Sequence, residues 1–221
     1  MGHVPIDAVI FDCDGLLVDT ESAWTRAERI LYARRGVEFT LDHKRELLGT
    51  AGPVAQATVE RHLGLRPGEG AAMEDEMRAL VLAELPLGTP PMPGAGELVS
   101  ALRAHGMPIG LASNSPHRLL RPSLHGAGFA DAFAAVVSAQ DVPAGKPAPD
   151  VYLEACRRLG ADPVRSVALE DSPTGAAAAR AAGMFVIGVP SLPDLEMPAE
   201  LVVTSLHAVE IHEAVGLRLA A

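Results

Sequence analysis

Residues 8–20, AVIFDCDGLLVDT, join a short apolar run to two aspartates that stand two positions apart. The apolar run is typical of a buried strand. On an extended chain the side chains of residues i and i+2 project to the same side, so Asp12 and Asp14 can address one point in space. Buried carboxylates are costly unless they are paired or bind a metal. The stretch therefore predicts a site for a hard cation and a phosphate at the end of the first strand.

The length and composition are those of an ordinary globular protein. The chain has 221 residues, of which 48% are hydrophobic and 21% charged, enough for one large domain or for a core domain that carries a smaller one. No apolar stretch approaches the roughly 18 residues that span a bilayer, so we expect no membrane anchor. Residues 1–6 lead into the first strand without the basic and apolar segments of a signal peptide, and we expect a cytoplasmic protein.

Charge and cysteine content narrow the range of partners. The formal net charge of −10 argues against a nucleic-acid surface, although a local cationic site can still capture an anionic small molecule. The two cysteines, Cys13 and Cys156, are too few for a disulfide framework and lack the spacing of a CxxC metal pair. We therefore expect a small-molecule partner, and the sequence does not indicate an oligomeric state.

From about residue 94 onward, helical patterns alternate with short apolar strands. Ser172 followed by Pro173 is a strong helix start, because it places an N-cap before a residue suited to the first turn. This alternation is typical of a parallel, doubly wound α/β sheet. The predicted elements are helices over 97–105, from 150 to about 160 and between 172 and 183, and strands over 107–112, 136–142, 164–169, 185–189 and 201–203.

Residues 20–88 follow a different pattern. Helical patterns over 23–35 and 72–84 occur there without a convincing strand, which indicates an inserted helical unit. The chain returns through the proline-rich segment 86–93, which suits a semi-rigid hinge. We therefore predict an α/β fold with two parts. They are a Rossmann-like doubly wound parallel sheet core, residues 1–19 and 89–221, and an inserted small all-helical cap domain, residues 20–88.

Polar residues follow four predicted strands at their carboxyl ends, where ligands collect in parallel α/β sheets. They supply carboxylates, small hydroxyl and amide groups and one lysine. This set fits phosphoryl transfer through a carboxylate, with a metal that offsets the repulsion between an anionic nucleophile and an anionic phosphate. The residues are Asp12 and Asp14, then Ser113, Asn114 and Ser115, then Lys146, and finally Glu170 and Asp171.

Each of these signals also has a purely structural interpretation. Ser113 and Ser115 could cap a helix. Lys146 could be a solvated loop lysine, and Glu170 and Asp171 could be acids that the dipole favours at a helix start. The occurrence of all four groups in one chain favours the catalytic interpretation.

Four motifs contain these residues. They are DCDG at 12–15 with DT at 19–20, SNS at 113–115, KPAPD at 146–150 and EDS at 170–172. In order and spacing they resemble the motifs of the haloacid dehalogenase superfamily of aspartate-nucleophile phosphatases, and they cover the whole chain. Within that superfamily the chain resembles the branch of β-phosphoglucomutases and small sugar-phosphate phosphatases, which insert a helical cap between the first two motifs.

The resemblance implies a role for each of five polar residues. Asp12 would attack the phosphorus and form a phosphoaspartyl intermediate, while Asp14 would protonate the leaving oxygen and then activate water. Ser113, the backbone of Asn114 and Lys146 would bind the oxygens of the transferring phosphoryl group.

The resemblance also implies Mg2+ as the cofactor. The metal would be bound by the Asp12 carboxylate, the Asp14 backbone carbonyl and Asp171. Glu170 would be either a direct ligand or a residue that orients the ligands. Closure of the cap would control the access of water, with hinges near residues 15–20 and 86–93.

Two residues distinguish between reactions within the family. Dehalogenases of this fold lack the second acid because a halide leaving group needs no proton, so Asp14 favours an oxygen leaving group. Phosphonate hydrolases of the group use a cap lysine as a Schiff base. The candidate in this chain, Lys44, stands in the charged stretch DHKRE at 42–46, and we expect it to be a solvated surface residue.

The choice between a phosphatase and a mutase depends on the cap. β-Phosphoglucomutases carry a basic residue soon after a cap glycine to hold the second phosphate, whereas the stretch 49–54, GTAGPV, has no Arg or Lys. We therefore predict a magnesium-dependent phosphatase that hydrolyses a small phosphomonoester, with a sugar phosphate as the favoured substrate. A β-phosphoglucomutase-type phosphomutase is the alternative. A non-catalytic phosphometabolite-binding protein is a third interpretation.

Overall fold

The computed structural model describes residues 5–84, 89–192 and 194–217. Within these residues six parallel strands form one sheet, in the order β3-β2-β1-β4-β5-β6. The strands are β1 (Ala8–Phe11), β2 (Ile109–Ser113), β3 (Ala135–Ser138), β4 (Ser166–Glu170), β5 (Phe185–Gly188) and β6 (Leu201–Val202). The order runs outward from β1 in both directions, as expected of a doubly wound sheet.

The described helices fall into two groups along the chain. Four of them lie within the segment predicted as the cap: α1 (Glu21–Ala33), α2 (Leu41–Leu47), α3 (Gly52–Leu63) and α4 (Gly70–Glu84). The others precede or follow the later strands of the sheet: α5 (Ala95–Ala104) before β2, and then α6 (His117–Gly126), α7 (Asp150–Leu159), α8 (Pro173–Ala181) and α9 (Val209–Ala214).

Both faces of the sheet are buried under helices. Phe11 of β1 packs on one face with Leu98 of α5 and Ile211 of α9. Its neighbour Ile10 points to the other face and packs with Tyr152 of α7, because successive strand residues project to opposite sides. The predicted fold class, a parallel doubly wound sheet with a helical insertion, is confirmed.

Helices α1 and α4 share an apolar cluster distinct from the two that flank the sheet. Leu31 and Tyr32 of α1 pack there with Met77 and Val81 of α4. The small cluster supports the idea of a helical cap, whose boundaries at 19/20 and 88/89 stay predictions. The predicted hinge 86–93 falls partly on residues 86–88, which lie outside the described residues.

The five strands predicted after residue 94 are all shorter in the structure, and local capping explains two of the differences. The strand predicted over 136–142 ends at Ser138, because the Ser138 hydroxyl accepts a hydrogen bond from Gln140 N and starts a 3-10 turn. The strand predicted over 164–169 begins at Ser166, because Asp162 caps Val164 N at 3.0 Å and holds the preceding residues in another such turn.

The centre of the sheet determines where a ligand can bind. Phe11 of β1 pairs with Leu111 of β2 on one side and with Leu169 of β4 on the other. From β1 the chain builds β2 and β3 on one side, and β4, β5 and β6 then follow on the other side. A crevice therefore opens between the carboxyl ends of β1 and β4. Asp12 is the first residue after β1, and its backbone N–H donates to Leu169 O at 3.0 Å.

Among the described residues, no helix is both long and apolar enough to cross a bilayer. The location in the cytoplasm stays a prediction.

Candidate active site

The Asp12 carboxylate is buried at the carboxyl end of β1 and is bound by a lysine. Lys146 Nζ donates to Asp12 Oδ1 and also to Glu170 Oε1, the latter at 2.5 Å. The side chain of Lys146 is 2% exposed and that of Glu170 is 0% exposed. The structure therefore places three of the predicted site residues in direct contact, and the interpretation of Lys146 as a solvated loop lysine is excluded.

The pKa values in this cluster reflect burial and the contact of one lysine with two carboxylates. Burial raises the pKa of Asp12 to about 8; Lys146 opposes that rise, whereas Glu170 and Asp14 add to it. Burial also acts to lower the pKa of Lys146, but the two carboxylates that it contacts outweigh burial and raise it. A divalent cation near these carboxylates would supply the missing positive charge.

Three carboxylates could hold such a cation. Asp12, Glu170 and Asp171 are all buried, and each offers an oxygen within 4.8 Å of the others. Carboxylate oxygens are the ligands that hard divalent cations prefer, so this donor set fits Mg2+. The Asp14 side chain does not belong to this carboxylate cluster, which is consistent with a metal contact through its backbone carbonyl alone.

Glu170 is held in place by several partners besides Lys146. Tyr152 Oη donates to Glu170 Oε1 at 2.6 Å, and Ser172 Oγ donates to Oε2 at 3.2 Å. A Cβ atom on Gly175 would lie 1.8 Å from Glu170 Oε1. The start of α8 can therefore lie this close to the carboxylate only because residue 175 is a glycine. Glu170 is thus positioned by its surroundings. The sequence did not single out Tyr152, although it stands two residues after the motif at 146–150, because a tyrosine on a predicted helix is typical of the core.

Asp14 has a different set of partners from Asp12. Its Oδ1 accepts from Thr20 Oγ1 at 2.7 Å, and its Oδ2 accepts from Ser113 Oγ at 3.2 Å and from Ser115 Oγ at 2.7 Å. These hydroxyls fix the carboxylate at the wall of the same cavity that Asp12 lines. The two aspartates therefore meet at one place, as the spacing predicts, but in different environments.

The Asn114 side chain joins three segments of the chain. Its Oδ1 accepts from Lys146 N at 2.8 Å, and its Nδ2 donates to Lys146 O and to Gly49 O, both at 3.1 Å. A Cβ atom on Gly145 would lie 2.5 Å from Asn114 Oδ1. Asn114 thus holds the loop that carries Lys146 and also contacts the loop between α2 and α3.

That loop, residues 48–50, lies directly on the carboxyl end of the sheet. Gly49 has a φ of +70°, and a Cβ atom on it would lie 2.5 Å from Ser172 Oγ. The hydroxyl of Thr174 donates to Leu48 O at 3.4 Å. The helical segment therefore covers the site in this structure, and the absence of a side chain at Gly49 permits the close approach.

A cavity of about 140 Å³ lies between the sheet and the helical segment. On the sheet side it is lined by Asp12, Asp14, Ser113, Asn114, Ser115, Pro116, Lys146, Asp171 and Ser172. Of the predicted site residues, Glu170 alone lies behind this lining, in contact with Lys146. The site prediction therefore corresponds to one location in the fold, while the roles of its residues stay predictions.

The prediction that Lys44 is a solvated surface residue is wrong. Lys44 Nζ donates to Glu28 Oε2 at 3.0 Å, and the two side chains are 8% and 6% exposed. Both residues line the cavity. Local composition misled the prediction, because Lys44 is the buried position of α2 while its charged neighbours face outward.

A second cation of the helical segment also lines the cavity. Arg78 of α4 contacts Glu74 one turn earlier, and Gln56 Nε2 of α3 donates to Glu74 Oε2 at 2.6 Å. In the sequence, Glu74 and Arg78 have the i, i+4 spacing of an ordinary pair on a helix surface. No signal in the sequence distinguishes them from such a pair.

Comparisons with known proteins agree with this geometry. The family model of haloacid dehalogenase-like hydrolases matches residues 6–183. Hexitol phosphatase B of Escherichia coli K12 is 37% identical over 187 residues, which are 83% of each chain. Protein CbbY of Rhodobacter capsulatus is 33% identical over 199 residues, 84% of this chain and 86% of the relative.

Solved structures show the same similarity. β-Phosphoglucomutase of Clostridium difficile superposes with a TM-score of 0.81 and 25% identity over 96% of this chain and 97% of the other. A CbbY variant of Rhodobacter sphaeroides in complex with xylulose-(1,5)bisphosphate has a TM-score of 0.78 and 26% identity over 91% and 95%. The predicted enzyme class, a phosphatase of haloacid dehalogenase type, is confirmed. The chain belongs to the haloacid dehalogenase-like hydrolases, in their β-phosphoglucomutase-like branch.

Proposed function

We propose that this enzyme is a magnesium-dependent phosphatase that hydrolyses a small phosphomonoester, a sugar phosphate in particular, through a phosphoaspartyl intermediate on Asp12. One observation carries the proposal. Asp12, bound by Lys146, and Asp14, bound by three hydroxyl groups, line one cavity at the switch point of the sheet. Two carboxylates in different environments can perform different steps of one reaction.

In the proposed reaction, an oxygen of Asp12 forms a bond to phosphorus as the bond from phosphorus to the leaving oxygen breaks. Asp14 gives a proton to that leaving oxygen, so the product leaves as an alcohol. Asp14 then takes a proton from a water molecule, which attacks the phosphorus and releases Asp12 and inorganic phosphate. The hydroxyls of Thr20 and Ser115, at 2.7 Å, keep the Asp14 carboxylate in position for both transfers.

The phosphoryl oxygens would be bound by Ser113, by the backbone N–H of Asn114 and by Lys146. Lys146 suits this role because it is buried, charged and already in contact with the attacking residue. The Asn114 side chain is already hydrogen-bonded to Gly49 and Lys146. We therefore propose that it positions the loop that carries Lys146 and does not bind the phosphate.

Asp12, Asp171 and the Asp14 backbone carbonyl would hold Mg2+, with Glu170 as a ligand or as an orienting residue. When bound, the metal supplies the positive charge that lets an anionic carboxylate approach an anionic phosphate. The contacts of Glu170 with Lys146, Tyr152 and Ser172 favour the orienting role.

The named relatives include a phosphatase and a β-phosphoglucomutase, so the choice between hydrolysis and a phosphomutase reaction needs an argument from this chain. Residues 49–54 contribute no cation to the cavity, but Lys44 and Arg78 do. The absence of a basic residue in that stretch is therefore not sufficient by itself to argue against a phosphomutase. Hydrolysis stays the favoured reaction because both cations are already paired with glutamates.

Phosphate release by the purified protein tests the proposal. We expect the wild type to release phosphate from phosphorylated metabolites with Mg2+ and to lose this activity in the presence of a chelator. Asp12→Asn should be inactive, whereas Asp131→Asn, a change at an exposed aspartate of another loop, should retain activity. Isomerised substrate without free phosphate would indicate the mutase, and binding without turnover across a broad panel would indicate the non-catalytic alternative.

A further inference from the structure

The segment 113–117, which leads from β2 into α6, carries two of the three hydroxyls that bind Asp14. Ser115 Oγ donates to Asp14 Oδ2 at 2.7 Å, and Ser113 Oγ donates to the same oxygen at 3.2 Å. The backbone N–H of Ser115 also donates to Ser113 Oγ at 2.9 Å. The direction of the Asp14 carboxylate therefore depends on the position of this segment.

The end of β3 and the 3-10 turn that follows it hold the segment from the outside. Ser138, the last residue of β3, donates through its hydroxyl to Ser115 O at 2.8 Å and accepts from Gln140 N at 3.2 Å. Gln140 Oε1 in turn accepts from His117 N at 3.1 Å. Two backbone groups of the segment 113–117 are thus bound by side chains of residues 138–140.

The side chains of His117 and Asp141 add a further contact between the same two parts of the chain. His117 Nε2 lies 2.8 Å from Asp141 Oδ1, and it is the donor because an ionised carboxylate only accepts. The other oxygen, Oδ2, accepts from Ser138 N at 3.1 Å. His117 Nδ1 is buried and has no hydrogen-bond partner among the described residues. Within the described part of the chain, the imidazole ring is therefore held by its bond to Asp141.

The surroundings of Asp141 keep it in the ionised form that these bonds require. Burial acts to raise the pKa of Asp141, but the hydrogen bonds from His117 and Ser138 N and the charge of Arg158 outweigh burial and lower it. Arg158 of α7 lies 3.3 Å from Asp141 Oδ2. An ionised carboxylate accepts at both oxygens, so Asp141 can bind His117 and Ser138 at the same time.

These contacts form a continuous path from the surface to the cavity. It runs from His117 through Asp141 and Ser138 to Ser115, and from there to Asp14. The side chains of His117 and Asp141 are 31% and 20% exposed, and neither residue lines the cavity. A shift of about 1 Å at a reacting group can cost much of the rate, even when its origin is remote.

We infer that His117 and Asp141 are positioning residues for the proton transfer by Asp14. Through their hydrogen bond they hold the segment 113–117 in the place from which its two serines direct the Asp14 carboxylate at the leaving oxygen. This inference rests on the proposed phosphatase function. It gives a role in that reaction to two residues outside the cavity.

The ratio of two kcat/KM values measures this positioning. One value is for p-nitrophenyl phosphate, whose leaving group needs no proton, and the other is for the alkyl phosphate that the wild type hydrolyses fastest. Both esters carry the same phosphoryl group, so weaker phosphate binding or a smaller folded fraction lowers both values and cancels in the ratio. We expect His117→Leu to lower the ratio of alkyl over p-nitrophenyl ester about tenfold.

His117→Gln and His125→Leu are the matched variants. A glutamine at 117 can still donate an amide N–H to Asp141, and the Nδ1 atom that it lacks has no partner among the described residues, so the ratio should stay close to that of the wild type. His125 is an exposed residue of the same helix, and its change to leucine should leave the ratio unaltered. A ratio that is unchanged in His117→Leu, or that falls equally in all three variants, would overturn the inference.

Asp141→Asn provides a second variant if His117→Leu does not fold. Its amide has an oxygen at only one of the two positions, so it cannot accept from His117 and from Ser138 N together, and the ratio should fall here too. In the Asp14→Asn background, His117→Leu should lower the ratio no further, because the group that it positions is gone. A further fall of the same size in that background would contradict the inference.

Failure of the inference can be separated from failure of the proposed function. If the wild type releases phosphate from both esters with Mg2+ and His117→Leu keeps the wild-type ratio, the phosphatase stands and the positioning role is refuted. If no ester of a broad panel releases phosphate with Mg2+, the proposed function fails and the inference falls with it.

Discussion

Asp12 and Asp14 stand two positions apart in the chain and hydrogen-bond to different groups. The Asp12 carboxylate contacts a buried lysine, whereas Asp14 accepts three hydroxyl hydrogen bonds. The spacing predicts that both side chains face one point, and the structure agrees. Their different environments support the assignment of nucleophile to one and proton donor to the other.

The assignment of Asp14 as the proton donor predicts a dependence on the leaving group. Asp14→Asn should lower kcat/KM for an alkyl phosphate by about 10²- to 10⁴-fold. For an aryl phosphate such as p-nitrophenyl phosphate the loss of kcat/KM should be much smaller, because that leaving group departs without a proton. The parameter kcat/KM reports the first phosphoryl transfer and not the later hydrolysis of the intermediate, which is the same for both esters. Equal losses of kcat/KM for the two esters would rule out the assignment.

A glycine beside Glu170 gives a second prediction at this scale. Gly175→Ala should lower the free energy of unfolding by about 2 kcal/mol, because the new methyl group would overlap the Glu170 carboxylate. Gly96→Ala, in α5, is the control: no atom lies within 4 Å of its added Cβ, so this variant should gain up to about 1 kcal/mol. Urea unfolding of both measures the difference, and equal shifts would show that the contact is unimportant.

At the scale of helices and strands, local chemistry explains which predictions are confirmed. Ser172 caps α8 as predicted, with its hydroxyl accepting from Gly175 N at 3.1 Å. The apolar pattern alone predicts strands that are too long. In two of them the reason is a short turn, capped by Ser138 or by Asp162, that the pattern does not reveal. An N-cap residue followed by a proline is a strong signal of a helix start in a sequence, whereas a 3-10 turn of three residues leaves only a weak signal.

The contact of loop 48–50 with the sheet predicts a role for Gly49 in turnover. Gly49→Ala should lower kcat/KM about tenfold, because its Cβ would overlap Ser172 and keep the loop from closing over the site. Gly64→Ala is the matched control, with a similar φ of +63° but open space around its Cβ. Both variants should lose about 1 kcal/mol of stability from backbone strain. A normal kcat/KM for Gly49→Ala would contradict the role.

At the scale of the whole molecule, the sequence predicts the half of the cavity that belongs to the sheet and not the half that belongs to the helices. Strand ends of a parallel sheet meet at one edge, so Asp12, Ser113, Lys146 and Asp171 can be placed together from the order of elements. The direction in which Lys44 points depends on how α2 packs against α1. The charged stretch 42–46 contains no pattern that indicates which of its residues faces α1.

The buried Asp12 carboxyl also predicts how the stability of the protein depends on pH and on Mg2+. Without a metal, burial raises the pKa of Asp12 from 3.8 to about 8. As pH rises, the unfolded chain loses this proton first, so the contribution of Asp12 to stability is full below about pH 4 and is lost as pH approaches 8. The Tm of the wild type should therefore fall relative to that of Asp12→Asn between pH 5 and 8.

Saturating Mg2+ should abolish this trend, because the cation favours the ionised carboxylates. At a hundred times its Kd, Mg2+ should stabilise the wild type by about 2.7 kcal/mol. Thermal unfolding at several pH values, with Mg2+ and with a chelator, measures both effects. Without Mg2+, a difference in Tm between the wild type and Asp12→Asn that does not change with pH, or that changes in the opposite direction, would contradict the raised pKa of Asp12.

As the nucleophile, Asp12 should carry a phosphoryl group during turnover. Asp14→Asn should slow hydrolysis of this intermediate. Acid quenching of the variant during turnover of p-nitrophenyl phosphate with Mg2+, followed by peptide mass spectrometry, would therefore identify the phosphorylated residue. We predict a phosphoryl group on the peptide that contains residue 12, and its absence from the double variant with Asp12→Asn. A phosphoryl group on another residue, or product formation without any phosphorylated peptide, would contradict the account.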